Sequence, residues 1–267
     1  TLLAASTGVV GASVVAMGVI SLPVMMKYKY NIPLATGTIC ASGTLGQIIP
    51  PSIVLIILGD VFQVPVGDLF ASAVGPGLAL VAAYILFILV VSYFNKDMAP
   101  AIPADPSRGN KKQQVRKALI DIIPSLTLIV LVLGSIFAGI ATPTESSAVG
   151  CLGAIALAVL YRTFSMGMVR EAALESVKIT SMVFGILIGA TAFSMVFSYT
   201  GGEEVVEHFM LSLPGDEKWG FILFTMLAIL ILGFFIDFIE ISYIIVPILI
   251  PVSQTLGIDP VWFAILI

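Results

Sequence analysis

Charge is scarce in this sequence. Its 267 residues include 12 Lys or Arg and 16 Asp or Glu, 10% charged in all, against 59% hydrophobic. A water-soluble domain carries roughly 25% charged residues, which excludes a soluble enzyme. Histidine and cysteine are nearly missing too, with one and two copies. A single histidine cannot build an HExxH zinc centre, and His208 lies in a polar connection, away from any serine at membrane depth. Cys40 and Cys151 are far apart, with no CxxC or His neighbour, so neither a disulfide framework nor a transition-metal site follows. They read as small buried hydrophobes. No basic patch with interleaved aromatics is present, which argues against a nucleic-acid partner.

What the sequence has instead is long apolar runs. Residues 30–59, 69–95 and 179–202 carry no charge over 30, 27 and 24 positions. The mean hydropathy is +1.12. A bilayer core asks about 20 apolar residues of a helix, and an open strand cannot satisfy its backbone in lipid. The predicted segments are therefore helical: 8–26, 34–59, 69–94, 118–141, 144–161, 179–199 and a last region over 219–255. Basic residues collect in three connections, at Lys27 and Lys29, across 95–117, and at Arg162, Arg170 and Lys178. By the positive-inside rule these face the cytoplasm, and 200–218, with Lys218 alone, faces outward. Alternation of the intervening segments agrees.

The last region is too short for two full spans plus a turn. Its midpoint, Gly233–Glu240 (GFFIDFIE), puts two carboxylates at membrane depth, which predicts a re-entrant hairpin opening outward. Residues 1–26 read as the outgoing arm of a matching hairpin opening inward, with Ser6, Thr7 and Gly8 near its tip. Both ends of the sequence fall inside apolar runs without an initiator Met, which reads as a fragment of a longer membrane protein.

Segment 34–59 contains Ala41–Ser52 (ASGTLGQIIPPS). Pro50 and Pro51 remove two backbone donors and clash with preceding carbonyls, at about 3 kcal/mol or more each inside a helix. Gly43 and Gly46 loosen the same turn. A helix broken at mid-membrane frees carbonyls that coordinate Na⁺ and amides that attract anions. Ser42, Thr44 and Ser52 add hydroxyls. A kinked packing helix is the plainer reading of one proline; two prolines with two glycines favour the ion site. Ser6-Thr7-Gly8 with Gly11 serves a hydroxyl-lined tip and small-residue helix packing equally.

Asp237 and Glu240 each cost about 2.5–3.5 kcal/mol at a helix centre on insertion scales, so both are functional candidates, with a structural partner or an interfacial position as the alternative. Glu145, after Pro143, reads as a helix cap. Asp60 and Asp68 bracket a solvated outer loop. Residues 203–210 read as a short helix on the outer surface with His208 on its solvated face, and Met168–Lys178 as a similar surface helix inside. Among catalytic classes, an aspartyl intramembrane protease needs a GxGD signature, which Gly233–Asp237 does not supply. A channel would also use a broken helix, but oppositely oriented hairpins argue for alternating access.

Three runs in order, Ala41–Ser52 (ASGTLGQIIPPS), Gly139–Gly150 (GIATPTESSAVG) and Gly233–Pro251 (GFFIDFIEISYIIVPILIP), resemble the large membrane subunit of tripartite ATP-independent periplasmic (TRAP) transporters, the DctM-like family. The wording is most similar to the subset labelled mannitol/chloroaromatic-compound transporters. The resemblance covers essentially the whole chain. It implies an elevator-type permease in the bacterial inner membrane, importing organic anions with Na⁺ as coupling ion and no cofactor. Its partners would be a small membrane subunit (DctQ-like), a periplasmic substrate-binding protein (DctP-like) and the surrounding lipid. It also implies a first Na⁺ site from Ser6, Thr7 and Gly8 with Gly43, Thr44, Gly46 and Pro50, bordered by Ser42, Pro51 and Ser52. Gly233 and Asp237 would form part of a second, whose following helix would lie beyond Ile267, so this stretch alone is not expected to transport.

The expected fold is thus an all-α integral membrane protein, a multi-span bundle with inverted repeats, re-entrant hairpins and a discontinuous helix. Its expected parts are 1–68 (first hairpin arm and broken helix), 69–161 (connecting helices with a cytoplasmic loop at 95–117), 162–218 (surface helix, membrane helix and periplasmic loop) and 219–267 (second hairpin). The alternative is a Na⁺- or H⁺-coupled transporter working without a binding protein, with Asp237 or Glu240 carrying the proton.

Overall fold

A computed structural model describes residues 10–95, 97–100, 111–212 and 216–267. All regular structure in these residues is helical. The helices are α1 (Val10–Lys27), α2 (Ile32–Thr44), α3 (Ile53–Val61), α4 (Val66–Phe94), α5 (Lys111–Phe137), α6 (Pro143–Leu160), α7 (Met166–Tyr199), α8 (Gly202–Leu211), α9 (Glu217–Leu232), α10 (Phe238–Thr255, with a π turn inside it) and α11 (Pro260–Leu266). Four of them, α4, α6, α7 and α10, are long and apolar enough to cross a membrane. Helix α4 shows why lipid is the natural solvent. Leu78, Ile85, Leu86 and Phe87 are all more than half exposed along it, and a helix apolar all round is stable in water only when buried.

The chain divides into two compact units, each assembled from separate stretches. Unit 1 is Thr1–Ile53 with Ala73–Phe164, and unit 2 is Val54–Ser72 with Ser165–Ile267.

In unit 1, α1 packs on α2. Asn31 starts α2, its side chain accepting from the Leu34 amide at 3.2 Å, with proline in the first turn where a missing N–H costs nothing. Helices α5 and α6 form an antiparallel hairpin. Gly139 takes the left-handed conformation its turn requires (φ 66°). Thr142 and Glu145 then close a reciprocal capping box, so Glu145 does act as a cap. Ser135 and Ser146 join the two arms by a 2.8 Å hydroxyl pair.

In unit 2, the core gathers Phe221 and Ile222 of α9, Val246, Leu249 and Val252 of α10, Phe263 of α11, and Leu58 and Phe62 from α3 and the turn after it. Phe263 sits between Phe62 and Phe221, with ring centroids 5.8 and 5.4 Å away. In lipid such residues contribute through close packing rather than through removal from water. Helices α9 and α10 both feed this core and are joined by the short turn at residues 233–237, the tip of the expected hairpin.

Two expectations are corrected. Met168–Lys178 is no separate surface helix: α7 runs unbroken for 34 residues from its cap at Ser165, about 50 Å at 1.5 Å per residue. No proline interrupts 168–178, the Ser176 hydroxyl donates back to Ala172 O within the helix, and Glu175 pairs with Lys178 one turn on at 2.5 Å, so helix continues. Cys40 and Cys151 are not buried but exposed in this chain. Both stand on helices apolar on all sides, where composition cannot tell an inner face from an outer one.

Candidate functional site

Unit 1 carries the helix break at the place the prolines predict. Helix α2 tightens into a 3₁₀ turn at Leu45–Gln47. The amides of Ile48 and Ile49 then both reach back to the Leu45 carbonyl, at 3.2 and 3.3 Å. Neither proline has an N–H to offer, the Pro50–Pro51 peptide is cis, and helix resumes at Ile53. Ser52 spans the gap, its buried hydroxyl donating to the Gln47 carbonyl.

The break is enclosed on two sides within its unit. Gly43 has no side chain because α1 occupies the space: a Cβ there would lie 2.2 Å from Val14 Cγ2. Helix α4 passes less closely at Gly77, where a Cβ would stand 3.3 Å from Ile49 Cγ1. Gly46, Pro50 and Ser52 are buried, Ser42 and Pro51 half-buried, and Thr44 exposed. The Ser42 hydroxyl donates to Thr38 O at 2.6 Å and that of Thr44 to Ala41 O at 3.0 Å. Each hydroxyl oxygen keeps lone pairs, so the group is rich in oxygen acceptors and has no charge of its own. That chemistry suits a hard monovalent cation. No trio of His, Cys, Asp or Glu able to hold a metal ion occurs among the described residues. Ser6, Thr7 and Gly8 lie outside them.

Unit 2 carries the hairpin tip. Helix α9 ends at Leu232, and Gly233, Phe234 and Phe235 unwind over it. Asp237 begins the next helix, its Oδ1 accepting from the Phe238 amide at 2.8 Å. Phe234 and Phe235 are 80% and 83% exposed, and Gly233 and Asp237 are exposed with them. The second carboxylate, Glu240, is half-buried, and its Oε2 is inaccessible with no hydrogen-bond partner among the described residues. Helix α10 then widens into a π turn over Ile241–Ile245, where the Val246 amide donates to Ile241 O. Pro247 follows. It offers no N–H to the Tyr243 carbonyl, and the wider turn makes room for its ring.

The Ser42–Ser52 group and the Gly233–Asp237 group thus belong to different units. Gln47, 8% exposed at the centre of the break, was missed as a candidate although it is the one amide in an otherwise apolar stretch. The π turn was missed as well.

The sequence profile of the family described as "Tripartite ATP-independent periplasmic transporter, DctM component" matches residues 1–267. The chain belongs to the DctM family. Among its relatives is the C4-dicarboxylate TRAP transporter large permease protein DctM of Pseudomonas aeruginosa, 34% identical over 99% of this chain and 60% of that protein. The corresponding protein of Rhodobacter capsulatus is 32% identical over 100% and 62%. The sialic acid TRAP transporter large permease protein SiaM of Vibrio cholerae is 31% identical over 94% and 57%. The chain spans about 60% of the length of these relatives. The family description makes DctM one component of a tripartite periplasmic transporter, and these relatives are named as its large permease protein.

Proposed function

We propose that this chain is part of the permease subunit of a Na⁺-coupled TRAP transporter that imports organic anions delivered by a periplasmic binding protein. The observation that carries this reading is the break at Leu45–Ser52, where half-helices meet at a buried, uncharged, oxygen-lined turn. Such a turn has the donor set for Na⁺, and half-helix N-termini supply positive potential for a carboxylate without a fixed cation. Relatives named for C4-dicarboxylates and sialic acid agree with an acidic substrate. Na⁺ would be held by the oxygens of Ser42, Thr44 and Ser52 with backbone carbonyls near Gly43, Gly46 and Pro50, joined by Ser6, Thr7 and Gly8. Gly233 and Asp237 would belong to a second ion site at the outer hairpin. In this mechanism ion binding closes the tips over the substrate, and the carrying part then crosses the membrane. The partners are a small membrane subunit and a soluble binding protein.

One observation favours a second reading, in which a proton is the coupling ion. The Glu240 carboxylate has one oxygen, Oε2, that is inaccessible and makes no hydrogen bond among the described residues, and an ionisable group at membrane depth is a functional candidate. The test is uptake of labelled organic acids into proteoliposomes holding the full-length transporter, with and without binding protein, under a Na⁺ gradient, a proton gradient or neither. Uptake that needs both Na⁺ and the binding protein supports the first reading. Uptake that follows the proton gradient and ignores the binding protein overturns it in favour of Glu240.

A further inference from the structure

Unit 2 contains a cleft of about 400 Å³, lined by the end of α3 and the turn after it, the later part of α7 and the π turn of α10. Its polar residues are Asp60, Gln63, Thr191, Ser194 and Tyr243. No Lys, Arg or His lines it, so an anion finds no counter-charge there. Thr191 already donates its proton to Leu187 O at 2.8 Å, leaving its oxygen as an acceptor. The Gln63 amide is turned to the Asp60 backbone carbonyl, not to its carboxylate. Pro247, also in the wall, has no N–H to set against an ammonium group. Leu187 and Met195 make the rest of the wall apolar.

A site with one carboxylate, hydroxyl oxygens, an aromatic ring and apolar sides is complementary to a primary ammonium group on a carbon chain. Such a group has three donors and no acceptor, and it is attracted to a ring face. The cleft is also larger than a bare ion needs. Asp60 is the next-to-last residue of α3, and Ser194 lies five residues before the end of α7, about 8 Å at 1.5 Å per residue. Both therefore stand near helix ends, where apolar spans meet the polar boundary. We infer that this cleft binds a primary ammonium group, from the head of an aminophospholipid or from a small water-soluble amine, between Asp60, Ser194 and Tyr243.

The full-length transporter would be placed in nanodiscs of phosphatidylethanolamine or phosphatidylcholine with identical acyl chains, and its thermal midpoint measured. Phosphatidylethanolamine should raise the midpoint by about 2–4 °C over phosphatidylcholine, whose quaternary head has no N–H to donate. Asp60→Asn should erase that increment while leaving the phosphatidylcholine midpoint in place. Tyr243→Phe and Ser194→Ala should shrink it, and native mass spectrometry should show about tenfold less retained phosphatidylethanolamine in Asp60→Asn. If ethanolamine in detergent produces the same Asp60-dependent shift and the lipid does not, the amine is the water-soluble one. Equal midpoints in both lipids with no response to ethanolamine would overturn the inference. So would an increment that survives Asp60→Asn, or one that follows Na⁺ in either lipid. Ser194→Ala with unchanged lipid retention decides against it even if Asp60→Asn fails to fold.

Discussion

Val14 fills the space that a side chain at position 43 would need, its Cγ2 lying 2.2 Å from where a Gly43 Cβ would stand. Helix α1 is thereby seated directly on the half-helix that leads into the break. Gly43→Ala must push against a β-branched side chain with one stiff rotamer. The expected loss is about 1–3 kcal/mol of stability, as for other overpacked interiors. Val14→Ala removes the offending methyls, so the double variant should recover most of the loss. A double-mutant cycle on thermal midpoints checks this, and a coupling energy near zero would show that the two helices do not meet here in the membrane.

Thr44 differs from its neighbours in being exposed while its hydroxyl is tied to Ala41 O. Thr44→Val keeps the shape and removes one oxygen. If that oxygen is an ion ligand, half-maximal Na⁺ in proteoliposome uptake should rise roughly tenfold, in line with about 1.5 kcal/mol for one hydrogen bond or ligand to a charged group. The thermal midpoint should stay within about 1–2 °C, since an exposed hydroxyl carries little stability. Thr44→Ser should restore Na⁺ affinity. An unchanged Na⁺ dependence in Thr44→Val removes this residue from the site.

Ser52 is the stability counterpart. Its buried hydroxyl donates to the Gln47 carbonyl across the gap, and Ser52→Ala leaves that carbonyl without this donor. A deprived buried acceptor costs about 1–3 kcal/mol. The variant should lower the thermal midpoint of the full-length protein and speed amide exchange at Ile53 and the residues after it. Unchanged exchange there would mean that the break is held by other contacts.

How much of this could be read in advance follows from what each residue can and cannot do. Pro50 and Pro51 cannot donate in any environment, so the break was legible, and so was the turn at Gly233–Asp237, where two carboxylates interrupt an apolar run. Asn31, Thr142 and Asp237 cap helices, but only Thr142 with Glu145 has the spacing that announces a cap by itself. The π turn was not legible, because Pro247 reads equally well as a first-turn proline, and only the Val246 bond to Ile241 O reveals the wider ladder. The continuity of α7 was hidden for a similar reason: a charged, helix-forming stretch looks the same whether it lies along a membrane or projects from it. The cleft at Asp60 and Tyr243 joins residues more than 180 positions apart, which no local spacing encodes.

Asp237 offers the clearest separation of a structural role from an ionic one. Its Oδ1 caps α10 through the Phe238 amide at 2.8 Å, and an Asn side chain caps about as well as Asp. Asp237→Asn should therefore keep the thermal midpoint, whereas Asp237→Ala should cost about 1 kcal/mol. If the carboxylate belongs to an ion site, both variants should lose Na⁺-driven uptake alike, because both lose the charge. If it is a cap alone, Asn should transport normally and only Ala should fail. Glu240→Gln, measured beside them, divides the coupling ions. Uptake that loses its proton-gradient dependence in Glu240→Gln while Asp237→Asn leaves Na⁺ affinity unchanged would move the coupling from the tip of the hairpin to the buried oxygen one turn below it.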